Sequence, residues 1–204
     1  NYNTVVGDEA GTAITTGDGN VAVGYSAGDA LDVGSYNIAV GMNALTADTK
    51  GSTSIAIGYG TLTAQNFTSA TDAHNIAIGH GTGGAVTTGT FNTLIGGLAG
   101  DGATTASYST ALGYGSLGGA MTGEGNVALG VNTLLVATSA HSNTAVGTSA
   151  MSSATTGTNN VAVGRNALDA NTTASNNTAV GYDALGANTT GSENTALGTD
   201  ALKA

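Results

Sequence analysis

Twelve times along the chain one five-residue phrase recurs: a polar residue, a Thr or branched aliphatic, a small residue, a bulky aliphatic and a Gly. Its first position falls at Asn3, Asn20, Asn37, Ser54, Asn75, Asn92, Ser109, Asn126, Asn143, Asn160, Asn177 and Asn194. The interval is 17 residues everywhere except between Ser54 and Asn75, where it is 21, so one unit carries a four-residue insertion, placed within "QNFTSATDAH". The fifth position is always Gly: Gly7, Gly24, Gly41, Gly58, Gly79, Gly96, Gly113, Gly130, Gly147, Gly164, Gly181 and Gly198. The fourth is Val, Ile or Leu throughout, and the third is Ala except at Val5 and Leu94. A short β-branched run closed by Gly predicts a strand entering a corner. Gly suits the corner because it reaches positive φ without a Cβ clash.

The rest of each unit has a small residue at position 8, often Leu or Met at position 9, and a Thr pair at positions 13 and 14, as in Thr15-Thr16, Thr87-Thr88 and Thr189-Thr190. Seventeen residues are too few for a helix-turn-helix repeat and predict two short strands with two turns. The expected fold is all-β: a parallel β-solenoid (β-roll or β-helix) of about twelve 17-residue coils, one repeat array over residues 1–204. Coils about 4.8 Å apart give a body roughly 55 to 60 Å long, with Asn over Asn and Thr over Thr as ladders. Side chains alternate across a strand, so positions 2 and 4 face one way and positions 1, 3 and 5 the other. One face lines the coil, and the other requires a cover. A core this thin is commonly completed by oligomerisation. Three parallel copies around an axis, a homotrimer, meet that requirement; a single-chain or otherwise assembled solenoid is the alternative.

Composition narrows the picture. The chain has 34 Gly, no Pro, Cys or Trp, and 8% charged residues, where an ordinary domain has about 25%. Ser, Thr, Asn and Gly must therefore solvate an elongated body. A formal charge of -10, with Lys50, Arg165 and Lys203 the only Lys or Arg, argues against nucleic acid and anionic membranes as partners. No apolar run approaches about 18 residues, so no membrane insertion is expected. The opening at Asn1, without Met or an apolar leader, reads as a processed or excerpted chain.

Chemistry-bearing residues do not converge. His74, His80 and His141 fall at coil positions 17, 6 and 16 and read as solvated turn residues. The acids, among them Asp8, Glu9, Asp29, Asp32, Asp101, Asp169, Asp183 and Asp200, sit mostly in turns, where carboxylates bond their own backbone or face water. The repeating pattern of calcium β-rolls is missing. "GHGTGGAVTTGT", with Gly79, Gly81, Gly83 and Gly84, lacks the Lys-Ser/Thr of a phosphate loop. Asn66, Asn171 and Asn188 open glycosylation-type triplets and read as polar turns. No catalytic residue, metal site or cofactor is expected. Tyr is the most suggestive type: Tyr25, Tyr59, Tyr114 and Tyr182 share position 6, and Tyr2, Tyr36 and Tyr108 share position 17. Rings at these corners either pack over a neighbour or stack on the apolar face of a surface sugar, and the position-6 set is the candidate surface-binding group.

The phrases "SIAIG" (Ser54 to Gly58), "NVAVG" (Asn20 to Gly24) and "NIAIG" (Asn75 to Gly79) resemble the S/N-x-A-I-G repeats in the heads of trimeric autotransporter adhesins. That resemblance implies a left-handed β-roll that trimerises and binds host surface or matrix proteins. The longer "NTAVGYDALGANTTGSENTALG" is more similar to phage tail-fibre repeat regions, and the period of 17 is longer than is usual for the adhesins. Together they imply a stiff structural and adhesive segment of an extracellular or virion appendage, with cell-surface glycans or proteins as partners and no enzymatic activity. The alternative is an ice- or crystal-surface-binding solenoid presenting its Thr columns, although Asp32-Val33, Ala70 and Met121 interrupt them.

Overall fold

The computed structural model describes residues 2–203, which form strands, turns and bends. In chain order the strands are β1 (Thr4–Val6), β2 (Val21–Val23), β3 (Ile38–Val40), β4 (Gly51–Ser52), β5 (Ile55–Ile57), β6 (Thr71–Asp72) and β7 (Ile76–Ile78). They continue as β8 (Thr93–Ile95), β9 (Thr110–Leu112), β10 (Val127–Leu129), β11 (Thr144–Val146), β12 (Val161–Val163), β13 (Thr178–Val180) and β14 (Thr195–Leu197). All except β4 and β6 stack in sequence order into one 12-stranded parallel sheet. The register lays like over like, as in Val21↔Ile38, Ala22↔Ala39 and Val23↔Val40, and it survives the insertion at Ile55↔Ile76. The chain is therefore a β-solenoid of about eleven turns.

The second strand expected in every coil forms only at β4 and β6, which pair with each other beside the insertion. Positions 7 and 9 adopt left-handed backbone in every coil, including the two that hold β4 and β6, as at Asn43 (φ 57) and Leu45 (φ 54), and that curls this part of the chain where a strand would run straight. Backbone groups in these curls still bond coil to coil, for example Leu45 N–H to Thr61 C=O at 2.9 Å and Leu134 N–H to Ala150 C=O at 3.1 Å. The insertion is also located. The 17-residue spacing holds where Thr49 Oγ1 bonds Asn66 Oδ1 at 3.1 Å, and it has grown by the pair Gly51↔Thr71. The extra residues thus follow Asn66, and the Thr column is broken there instead of at Ala70.

Alternation across each strand comes out as the sequence predicts: position 3 is buried and positions 2 and 4 lie half out, the pattern in β2, β3, β7, β8, β10, β11 and β13. The small face turns inward because a coil with a single three-residue strand is narrow. Ala at position 3 and Leu or Met at position 9 fill it, with Leu45, Leu62, Leu134 and Met151 fully buried. Where position 9 is Gly, a larger residue elsewhere in the coil takes the space: a Cβ on Gly28 would lie 2.9 Å from Leu31 Cδ1 at position 12, and one on Gly100 would lie 2.9 Å from Leu94 Cδ1 at position 3.

Position 1 supplies a polar spine inside this apolar tube. Asn37 N–H donates to Asn20 Oδ1 at 2.9 Å, and Asn20 Nδ2 donates to Gly34 C=O at 2.9 Å. The same pair of bonds recurs at Asn143, Asn160 and Asn177. At Ser54 the side chain is too short to continue the spine, and Gln65 bridges the gap. Its Nε2 donates to Ser54 Oγ at 3.0 Å and to the buried Asp48 carboxylate at 2.6 Å, and its Oε1 accepts from Asn75 Nδ2 at 2.9 Å.

Candidate functional site

Turning Ala inward leaves the bulky residues of positions 2 and 4 on the outside. Ile57, Leu112 and Val163 are 37%, 46% and 36% exposed, and neither position carries a charge in any coil. Position 17 borders this face on one side and position 6 on the other. Between Gly19 and Val131 these borders carry rings, aliphatics, Gly and Thr, with His74 and His80 the only titratable groups apart from tyrosine; Asp8, Arg165 and Glu193 lie toward the ends.

The borders contain ring stacks. Along position 17, His74 lies on Phe91 with centroids 5.0 Å apart, and Phe91 lies on Tyr108 at 5.1 Å with planes 5° apart. Along position 6, Tyr59 lies on His80 at 5.2 Å. His74 and His80 are exposed, as expected, but they belong to these stacks and do not simply face water. The candidate Tyr25, Tyr59, Tyr114 and Tyr182 are all exposed in one file, two or more coils apart, so the fold does not gather them into a single site. Tyr114 instead leans back over Gly97, whose Cβ position is 3.5 Å from the ring. The position-17 stack is legible in the sequence only when Phe91 and His74 are set beside the Tyr residues of the same coil position.

The position-17 rings are held in left-handed backbone: Tyr36, His74, Phe91 and Tyr108 have φ of 59, 50, 58 and 57. That region costs an L side chain roughly 1 to 2 kcal/mol. Other coils hold the same corner with Gly19, Gly125, Asn159 and Asn176, residue types that tolerate it, and with Thr53, Ser142 and Glu193, which bear the same strain as the rings. The equally left-handed Leu45 and Leu134 are fully buried, and their burial offsets the strain. The exposed rings lack that compensation.

Away from this face, Asp29, Asp101 and Asp169 share position 10, and burial raises each carboxyl above the ordinary carboxylate range; the Asp183 charge adds to the effect at Asp169. Lys203 bonds Asp183 at 2.6 Å and Asp200 at 3.0 Å, and both bonds raise its ammonium. Among the described residues no three His, Asp or Glu side chains gather closely enough to hold a metal ion, and no helix is long and apolar enough to cross a membrane. The glycosylation-type Asn171 is fully buried and caps its own turn, its Oδ1 accepting from Ala174 N–H at 2.9 Å. The position-13 hydroxyls are used within the stack: Thr87, Thr138 and Thr155 donate to the next coil's carbonyl at 3.1, 3.1 and 2.9 Å. Comparison with protein-family models, with curated proteins and with solved structures finds no match.

Proposed function

We propose that this chain is a structural and adhesive segment of an extracellular or virion fibre, such as a phage tail fibre or a bacterial surface adhesin. It acts as a stiff rod that self-associates, as a homotrimer or another assembly, through the outward strand face. One observation carries the reading: an uncharged, outward face, aliphatic at position 4 in every coil and aliphatic or Thr at position 2, runs along all twelve strands of the main sheet. The strip is roughly 55 Å long and, with its borders, roughly 20 Å wide, or about 1,000 Å² of flat area. A standard interface buries about 800 Å² per partner. Left in water, a strip of that size exceeds what monomers usually expose. Regular coils give the rod its stiffness, and repeated weak sites along it would add avidity.

Sedimentation velocity tests the assembly. The parent chain is expected to sediment well above its monomer mass of 19.4 kDa. Ile57→Lys combined with Leu112→Lys, two charges on the middle of the face, is expected to weaken association about a hundredfold or more. Its circular dichroism should stay unchanged, because both positions point away from the core. A parent chain that stays monomeric at every concentration would defeat the proposed face.

A second reading, binding to ice or another crystal surface, draws on the exposed file Thr88, Thr105, Thr122, Thr156, Thr173 and Thr190 at position 14. It ranks lower because Ser139 interrupts the file and the adjacent position-13 hydroxyls are committed to backbone carbonyls. The expected result is no thermal hysteresis, and measurable hysteresis would reverse the ranking.

A further inference from the structure

The ring column on the position-17 border ends abruptly. Each ring in it leans toward the preceding coil, as Tyr36 shows by lying over Gly19, whose Cβ would come within 2.7 Å of the ring. Tyr108 likewise covers Phe91. The next coil carries Gly125 at this position, and a Cβ placed there would meet only Ser142 Oγ, at 3.8 Å. Gly125 therefore contributes no side chain to cover the face of Tyr108 that points away from Phe91, and Tyr108 is 60% exposed. That face opens into a notch between the coils of Tyr108 and Ser142, about 9 to 10 Å apart along the stack, with Gly125 at its back.

The backbone does not require glycine here. Ser142, Asn159, Asn176 and Glu193 hold the same corner with φ of 54, 56, 61 and 63, beside 67 at Gly125. What glycine supplies is room. Tyr108 is the converse case: it is 60% exposed and holds a strained φ that Asn adopts at the same corner two and three coils beyond Gly125.

Polar groups flank the notch. Glu124 and His141 are both exposed beside it, and Glu124 N–H donates to His141 Nδ1 at 3.1 Å. An accepting Nδ1 leaves the imidazole proton on Nε2, free to donate outward. A flat ring, a carboxylate acceptor, an imidazole donor and the Ser142 hydroxyl match a ligand with one apolar C–H face and a rim of hydroxyls. We propose that this notch binds a neutral hexopyranose, stacked on Tyr108 with its hydroxyls bonded to Glu124, His141 and Ser142. The Glu124 carboxylate and the net charge of -10 disfavour acidic sugars. The proposal rests on the adhesive part of the function above. Because the notch lies on the position-17 border of the face proposed for self-association, each variant is sedimented alongside its sugar-binding measurement, so that a failure of association and a failure of sugar binding are told apart.

The experiment is saturation-transfer NMR on the whole chain, with methyl β-D-glucopyranoside and methyl β-D-galactopyranoside as probes and N-acetylneuraminic acid as the acidic comparison. Transfer is expected to at least one neutral sugar, concentrated on the C–H protons of one ring face. Tyr108→Asn and Gly125→Asn install a residue that the same corner already holds at Asn159 and Asn176. Each should reduce transfer about tenfold, the order expected for losing one ring contact, while the melting temperature holds or rises. A purely structural role for Tyr108 predicts the opposite split, with melting temperature lost and transfer retained. The proposal is overturned by no transfer to either neutral sugar, by transfer that survives both substitutions, or by preferential transfer to the acidic sugar.

Discussion

Gly113→Ala should be among the most damaging single substitutions in this protein, lowering stability by about 3 to 5 kcal/mol. Two effects combine at this corner. The residue has a φ of +132, outside the range open to L side chains. A Cβ would also lie 2.5 Å from Gly130 C=O, a fixed backbone atom one coil on. Relief requires the two coils to separate, yet Gly130 N–H is tied to Leu112 C=O at 2.8 Å on the same rung. Because each coil touches only its neighbours, the damage concentrates at one rung and the array opens there. Gly198→Ala provides the control. Its φ of +123 is equally unfavourable, but nothing lies within 4 Å of its Cβ position, so only the conformational cost of about 1 to 3 kcal/mol applies. Urea titration of both variants separates strain from clash. Equal losses would mean that the coils do not approach closely along the Gly column.

That column was legible in the sequence because one physical requirement, a corner with no room for Cβ, recurs at a fixed interval. The register was legible for the same reason: Ala22 over Ala39 and Val23 over Val40 follow from any stacking of a 17-residue repeat. The internal anatomy of the coil was less visible. Leu45 adopts a left-handed backbone that its residue type rarely chooses, and propensity alone reads the segment as a strand. Burial of Leu45 decides it, and burial exists only once the coil has closed. The candidate site was half visible. Position 6 could be picked out by its four Tyr, whereas the notch at Gly125 depends on which way Tyr108 leans, a property of neighbouring coils that no single repeat encodes. Gln65 is a further case. As one polar residue among many it carries no signal, but beside Ser54 it completes the polar spine.

Asn143→Ala should come close to the corner substitution in effect, with a loss of about 3 to 5 kcal/mol, although it removes only a small polar group. Asn143 Oδ1 accepts from Asn160 N–H at 2.9 Å and Asn160 Nδ2 at 3.0 Å, while its own Nδ2 donates to Gly157 C=O at 2.8 Å. Alanine leaves these partners buried without that bond, and each such group left with none costs about 1 to 3 kcal/mol. Asn160 Nδ2 retains Ala174 C=O at 2.9 Å, so two groups, the Asn160 N–H and the Gly157 C=O, are fully stranded. Asn143→Ser should cost roughly half as much, since Ser109 already serves the spine and its Oγ accepts from Asn126 N–H at 3.4 Å. Asn143→Leu should do worse than alanine, because it strands the same two groups and also overfills a position that carries a polar side chain in every coil. Chemical denaturation of the three variants ranks them. If Leu proved the mildest, the spine would be acting as packing and not as a chain of satisfied hydrogen bonds, and the stiffness attributed to the rod would have to come from the sheet alone.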